Sequence, residues 1–474
     1  MYDPACKYWD PRNELLSPGE LRILQERRLR QVVQYAYAKS PFYRRKFNEA
    51  GITPDDIKTL EDINKIPLTD KYEMRDSAQR SVEAGKRPFH EFFTVPEETV
   101  VTIHSTSGTT GVPFTIGLME QELTFRGMLA SGDHAARGLW SVGLRPGDVM
   151  GHLWNLGGAM VGGGNHVIPK GACAPDLFCT VIPCHVGRTE LMIKTLRDVK
   201  ATALICTPSY LQYIPEVAAK MGIDIRRDLR TRILICGGEP GPASVPGLRA
   251  KLEEIWGAKA YDMYGAPAAG LATECEAQEG FHLQADGAYI QIVDPETKEE
   301  LPEGKMGSIV GTMLGMASFP MIRFDTEDRG ALITERCSCG RTHPRLSSVP
   351  GRWDDMIKIK GFRFYPDTIE KVTRETAGCT GEFLIILDKD ENQREQVTIK
   401  IEHERDVPDT AAFAGELEHA IRTLITLKAN VEVVPKGSLA RWVFKSQRVV
   451  DNRSKAKKDL FAEGAKLKSA EYFD

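Results

Sequence analysis

The sequence predicts an α/β protein with a large N-terminal α/β domain and a smaller α+β domain at the C-terminus. Three observations carry that reading. Short apolar runs such as DVMGHLWN, ATALICTP, RTRILICGGE and AKAYDMYG alternate with helical patterns through the middle of the chain. Strands interleaved with helices argue for a largely parallel sheet. From about Gly307 the texture changes to closely spaced strand-like runs, GSIVGTML and FPMIRF, and beyond Gly351 a second set of short strands and helices begins.

The elements follow in order. Ser17, Pro18 and Glu20 form a capping-box start with proline at the first helical position. Leu29, Val32, Val33 and Ala36 then keep the helical period. Past Gly351, DDMIKIKGFRFYP reads as two short strands turning at Gly361. A helix is expected over Asp367 to Thr376, then strands FLIILDKD and QVTIKIEHE, a helix from about Thr410 to Lys428, and a last strand NVEVVP. We therefore expect domains at 1–351 and 352–474, the second of ordinary domain size.

At 474 residues the chain is long enough for two or three domains. It is 42% hydrophobic and 27% charged, the balance of a soluble protein with a sizeable core. Lys plus Arg is 62 against 66 for Asp plus Glu, a formal charge of -4, so no basic excess points to nucleic acid. The start, MYDPACKYWD, lacks a signal-peptide h-region, and the longest apolar stretch, Trp154 to Ile168, is interrupted by glycines, Asn155, Asn165 and His166. A cytoplasmic protein with no membrane or nucleic-acid partner is expected, with a homodimer left open. Reduced thiols are then the default for its ten cysteines. Cys206 and Cys236 sit in apolar runs and read as core, whereas Cys275, His282, Cys337 and Cys339 stand apart.

The sharpest local signal is HSTSGTTGVP, His104 to Pro113. Its small residues, Thr106, Ser107, Gly108, Thr109, Thr110 and Gly111, would expose backbone N–H groups and hydroxyls of the kind a polyphosphate needs. The GKS/T ending of a Walker A loop is missing, and a plain surface turn is the competing reading.

That segment resembles the signature loop of the adenylate-forming superfamily of acyl-CoA synthetases, luciferases and peptide-synthetase adenylation domains. Further matches follow in the expected order: ICGGEP (Ile235 to Pro240), YDMYG (Tyr261 to Gly265), MIRFDTEDRG (Met321 to Gly330) and GRWDDMIKIKGFRFYP (Gly351 to Pro366). SPFYRRKFNEAGI and CSCGRTHPR narrow the resemblance to the phenylacetate–CoA ligase branch, from about Leu15 to Arg453. The resemblance implies ATP-dependent activation of an aromatic, phenylacetate- or benzoate-like acid to acyl-AMP, rotation of a mobile C-terminal domain, and transfer to CoA. It implies ATP/AMP, Mg2+ and CoA as cofactors and cosubstrates, and a small-molecule acid as partner.

Site residues come across position by position. Asp328 takes the family's ribose position, where its carboxylate suits two hydroxyls. Gly238 and Glu239 fall in the adenine-side segment, Asp262, Tyr264 and Gly265 in the next one, and Arg352 near the nucleotide. Asp354 matches the hinge, whose torsions would absorb a domain rotation. Lys445 aligns best with the catalytic lysine because RVVD follows it, with Lys436 and Lys455 as rivals and Phe444 where the family has glycine. The acyl site is expected around Trp154, Asn155, Gly158, Ile235, Cys236, Tyr264 and Ala266. Cys275, His282, Cys337 and Cys339 complete a Cys₃His set suited to a closed structural zinc site, a pattern similar to one in this ligase branch, with His343 as alternative nitrogen ligand.

Three departures stand out. Ala266, Pro267 and Ala268 follow Tyr264-Gly265 where the family carries Ser or Thr and then a magnesium-holding Glu; Glu274 lies further along. Val112 replaces a phosphate-loop lysine, and Asp325 stands where the branch has arginine. Two other functions therefore stay open: an adenylating synthetase with a non-CoA acceptor, and a nucleotide- or acyl-binding protein that has lost catalysis.

Overall fold

The computed structural model describes residues 5–105, 115–123, 131–154, 172–173, 177, 179–183, 187–266, 268–315, 318–360, 362–391, 394–404, 407, 409–441 and 448–453. Among them the strands form five sheets. The largest has nine strands. Five are parallel: β3 (Val149–His152), β4 (Thr180–Pro183), β5 (Ala203–Cys206), β6 (Ile233–Cys236) and β7 (Lys259–Ala266). The sheet continues antiparallel through β8 (Gly270–Thr273), β9 (Phe281–His282), β14 (Arg345–Leu346) and β13 (Leu332–Ile333). The parallel half has the four expected strands and, in addition, β4. The antiparallel half was not legible, because one strand of four residues and three of two leave no periodic pattern.

The buried runs explain the parallel half. Every residue of β5 and β6 is buried, as strands covered on both faces require. Cys206 and Cys236 are neighbours across these two strands, and both are fully buried in the core, outside any disulfide.

The N-terminal helix spans Pro18–Lys39 with the capping box made: Ser17 Oγ accepts from Glu20 N, and Glu20 Oε2 accepts from Ser17 N at 2.9 Å. Its Leu29, Val32, Val33 and Ala36 join Tyr43, Phe47, Phe92 and Phe319 in a second core. A two-stranded hairpin of β1 (Val100–Ser105) and β2 (Thr115–Met119) flanks residues 106–114.

A three-stranded antiparallel sheet comprises β10 (Ala288–Val293), β11 (Gly307–Met313) and β12 (Phe324–Gly330). Here FPMIRF departs from the strand expectation: only Phe324 enters β12. Pro320 has no N–H for a ladder, Arg323 adopts φ 47°, and the Ile322 amide donates to the Tyr43 hydroxyl at 2.8 Å. The run is buried because it packs on the helices, and its backbone makes single bonds, Met313 N to Met321 O and Thr69 N to Arg323 O, each at 2.8 Å, in place of a ladder. Within β12 two steps along β11 answer four along β12, from Ser308–Arg329 to Val310–Asp325. That bulge holds Glu327 at φ 60°.

The last unit follows the expected order. A hairpin, β15 (Ile357–Ile359) and β16 (Phe362–Phe364), leads into a helix at Pro366–Glu375. β17 (Cys379–Lys389) and β18 (Glu395–His403) form an antiparallel pair, extended on either side by the parallel strands β20 (Val449–Asp451) and β19 (Asn430–Pro435). The second helix, Thr410–Ile425, lays Phe413, Leu417, Ile421 and Ile425 on this sheet. Burying each such side chain stabilises the unit by roughly 1.5–3 kcal/mol.

One buried charge ties the N-terminal segment to the main body. Arg137 donates to both oxygens of Asp286, at 2.9 and 3.1 Å, to Asp133 at 2.9 Å and to Asp10 at 3.3 Å. Both Arg137 and Asp286 are almost wholly buried. Arg137→Met leaves a buried carboxylate without its partner and lowers the unfolding free energy by about 3–5 kcal/mol, measured by denaturant titration.

Candidate nucleotide and hinge site

The end of β6 delivers the first part of the site. Ile235 and Cys236 are fully buried, so they form the floor of the strand end and line no open surface. Gly237 follows against the Trp154 ring, where a Cβ would come within 3.1 Å of the indole. Gly238 adopts φ +84°, a conformation that favours glycine. Glu239 Oε2 then accepts from Ser209 N at 3.3 Å, at the start of the helix Pro208–Lys220.

β7 supplies the next part. Asp262 is buried and accepts from the amides of Ala243 and Met263, each at 3.0 Å. Its carboxylate thus holds the turn after β6 from behind, and burial pushes its pKa up to about 8. Tyr264 donates its hydroxyl to Asp328 Oδ2 at 2.7 Å. Burial, together with the Asp328 charge, pushes the Tyr264 phenol well above its ordinary range, so it stays a donor. Gly265 is exposed and Ala266 half-buried.

Asp328 sits on the bulge of β12, and the chain after Gly351 returns beside it. Asp328 and Arg352 form an antiparallel bridge, Arg329 N donates to Gly351 O, and Trp353 N donates to Glu327 O, both at 2.8 Å. Arg352 reaches Glu327 at 3.0 Å, Asp354 at 2.9 Å and Asp328 at 3.9 Å. Burial would raise the Asp354 carboxyl, but Arg352 and Lys71 outweigh it and hold the pKa below the usual range. Tyr264, Asp328, Arg352 and Asp354 therefore meet in one place, although they lie up to 90 positions apart in the chain.

Two members of this cluster were not read from the sequence. Lys71 contacts both Glu327 and Asp354. No local pattern marks a lysine at the start of a distant helix as a partner of the hinge. Glu327 could have been suspected only as the neighbour of Asp328.

Other expected residues lie outside the described ones: Thr106, Ser107, Gly108, Thr109, Thr110, Gly111, Val112, Asn155, Gly158, Lys445 and Lys455. Lys436 pairs with Glu404 at 3.1 Å on the surface. Trp154 is almost wholly buried, its ring edge-on to His152 with centroids 5.6 Å apart.

Cys275, His282, Cys337 and Cys339 come together, their candidate ligand atoms all within 4.8 Å of one another and all four residues buried. The Cys275 and Cys337 sulfurs are 3.8 Å apart, and Cys339 Sγ lies 3.4 Å from His282 Nε2. Four ligands around a zinc with bonds of about 2.3 Å to sulfur and about 2.0 Å to nitrogen have edges of that order. His343 takes no part; its Nδ1 faces Leu283 O at 3.3 Å. The donor set fits zinc.

The departures from the family pattern are also placed. Ala268 is fully buried, and a Cβ on Gly311 would meet its carbonyl at 2.5 Å. Glu274 is committed to Arg249, at 2.8 and 3.0 Å, and to Asp262 N at 2.7 Å. Neither position offers a free carboxylate, so this segment does not fit a magnesium site. Asp325 is buried and balanced by Lys298 at 3.0 Å and Ser308 at 2.5 Å. Ala268→Glu forces a carboxylate into packed backbone. We expect it to destabilise the protein by about 2 kcal/mol or more in thermal unfolding, without lowering the magnesium requirement.

The AMP-binding enzyme family matches residues 22–317, and the AMP-binding enzyme C-terminal domain matches residues 361–453. The phenylacetate–coenzyme A ligase of Thermus thermophilus is 33% identical over 91% of this chain and 95% of its own. That of Aromatoleum evansii is 34% identical over 93% and 97%. A 2-hydroxyisobutyryl-CoA ligase, solved in the postadenylation state with an acyl-AMP, superposes with a TM-score of 0.83 at 30% identity, covering 98% of both chains. The same enzyme in the thioesterification state with CoA gives 0.67. The chain belongs to the AMP-binding enzyme family, as an AMP-forming acid–CoA ligase of the phenylacetate–CoA ligase-like branch.

Proposed function

We propose that this ligase activates an aromatic, phenylacetate- or benzoate-like acid with Mg-ATP and passes the acyl group to CoA. The observation that carries the reading is the meeting of Tyr264, Asp328 and Arg352 beside Asp354. Asp328 accepts the ribose hydroxyls. Tyr264 donates to one of its oxygens and so fixes the carboxylate's orientation. Arg352 supplies a guanidinium toward the nucleotide. The small residues 106–111 are assigned to the phosphates on their residue types, and Glu239 and Gly238 border the adenine.

In the first step a carboxylate oxygen of the acid attacks the α-phosphorus, and pyrophosphate leaves. Lys445 is assigned, on its place in the sequence, the stabilisation of the negative charge that gathers on the carboxylate and α-phosphate. In the second step the CoA sulfur attacks the acyl carbon, the thiol proton is lost and AMP leaves. Between them residues 352–474 rotate about Asp354 as a unit. The small Gly158 and Ala266 leave room for an aromatic acid. The acid of the 2-hydroxyisobutyryl-CoA ligase is the second candidate, on the strength of that structural likeness. The Cys₃His cluster holds a structural zinc that pins the loop at 275–282 to the loop at 337–339.

Pyrophosphate release and thioester formation, followed over phenylacetate, benzoates and 2-hydroxyisobutyrate with and without CoA, test the substrate class. An aromatic acid should give the highest kcat/KM, and preference for 2-hydroxyisobutyrate would reverse that assignment. Lys445→Ala should slow acyl-AMP formation by roughly two orders of magnitude or more, while thioester formation from synthetic acyl-AMP and CoA stays near the wild-type rate. Unchanged adenylation would transfer the role to another lysine.

Elemental analysis should find about one zinc per chain. Cys337→Ser should lower both the zinc content and the melting temperature. Well-folded protein free of zinc would remove the metal from the account.

A further inference from the structure

Lys71 is the first residue of the helix Lys71–Glu83, and its backbone is fixed twice over. Asp70 caps the helix by accepting from Tyr72 N and Glu73 N, each at 2.8 Å. Just before it, Thr69 exchanges backbone hydrogen bonds with the start of β12: Thr69 N donates to Arg323 O at 2.8 Å, and Asp325 N donates to Thr69 O at 2.9 Å. The Glu73 carboxylate is held in turn by the buried Lys46 at 2.7 Å. The ammonium that reaches Glu327 and Asp354 therefore stands on a rigid base within the N-terminal body.

Asp354 is differently placed. Residues 351–353 pair with β12 through backbone bonds, and Asp354 is the first residue beyond that pairing. Its backbone has no such tether, and its carboxylate is gripped from two sides. Arg352 Nε lies 2.9 Å away on the same segment, whereas Lys71 comes from a separate element 283 positions earlier. A change in the Asp354 φ keeps Arg352 close in the chain but swings the carboxylate relative to Lys71, which is held on the other body. The arrangement in which Lys71 grips Asp354 is also the one that superposes better on the postadenylation than on the thioesterification structure, with TM-scores of 0.83 and 0.67.

We propose that Lys71 is a positioning residue: it latches Asp354 in the adenylation arrangement, and its release accompanies rotation to the thioester-forming one. This rests on the reading of Asp354 as hinge. An ion pair of this kind, partly buried and shared by two carboxylates, biases the two arrangements by a modest ratio that a conformational cycle can overcome.

The test compares wild type with Lys71→Met, which keeps the side-chain stem and removes the charge, Lys71→Arg, Asp354→Asn and the Lys71→Met/Asp354→Asn double variant. Amide exchange across residues 350–358 is read on the free enzyme, and the two half-reactions are read separately with phenylacetate and with phenylacetyl-AMP. In Lys71→Met we expect hinge amides to exchange about fivefold faster and the ratio of adenylation to thioesterification rates to fall about fivefold. Lys71→Arg should restore both, and the double variant should be no worse than the more impaired single one. If neither exchange nor the rate ratio moves, the latch is wrong. Asp354→Pro separates that failure from failure of the hinge. Loss of the thioester step alone in Asp354→Pro, beside an unaffected Lys71→Met, leaves the hinge standing without a latch. Retention of both half-reactions in Asp354→Pro overturns the hinge and the latch together.

Discussion

The hydrogen bond from Tyr264 to Asp328 joins the two sheets on which the site is built. Tyr264 ends the parallel run of the nine-stranded sheet, and Asp328 rides on the edge of the three-stranded one. At 2.7 Å, with a charged acceptor, it is a strong bond of its kind. Around it the chain arranges everything else: the turn at Gly238 above, Arg352 alongside, and the start of the C-terminal unit a few residues on. If the sheets shifted against each other, the carboxylate would lose its orientation before any packing was disturbed.

Much of this was legible because the family's motifs are local. HSTSGTTGVP, ICGGEP, YDMYG, MIRFDTEDRG and the segment from Gly351 each carry their residue types in a short window, and order along the chain does the rest. Contacts between windows were not legible. Lys71 and Asp354 are 283 positions apart, and nothing about a lysine beside a capping aspartate distinguishes it from a solvated one. Burial was equally hidden. Asp262 reads as a polar residue near the nucleotide, yet its carboxylate lies behind the turn it supports. Ala268 reads as a deleted acid, yet its methyl belongs to the same core as Phe319 and Leu314. Sequence position gives the neighbourhood of a side chain and says little of its direction.

The charges kept inside the protein share a pattern. Arg137, Arg249, Arg341 and Arg323 are each buried or nearly so, and each meets carboxylates or backbone carbonyls of distant segments. A guanidinium can satisfy several acceptors in one plane, so a single residue serves as a crosslink where an ammonium would leave acceptors bare. The Cys₃His cluster does similar work for two loops that contain little regular structure. These crosslinks join segments that lie far apart in the chain.

The bulge in β12 has a further consequence. By inserting two residues it brings out Glu327 and Asp328 in succession, one toward Lys71 and the hinge, the other toward Tyr264. The contact to Tyr264 and the contact to Lys71 are therefore encoded in adjacent codons and a shared backbone distortion. A substitution that flattens the bulge cannot alter one trait and spare the other. Natural variation at this spot should be pleiotropic, whereas the strand ends at Gly237 and Ala266 lie outside the distortion and can vary without disturbing either contact.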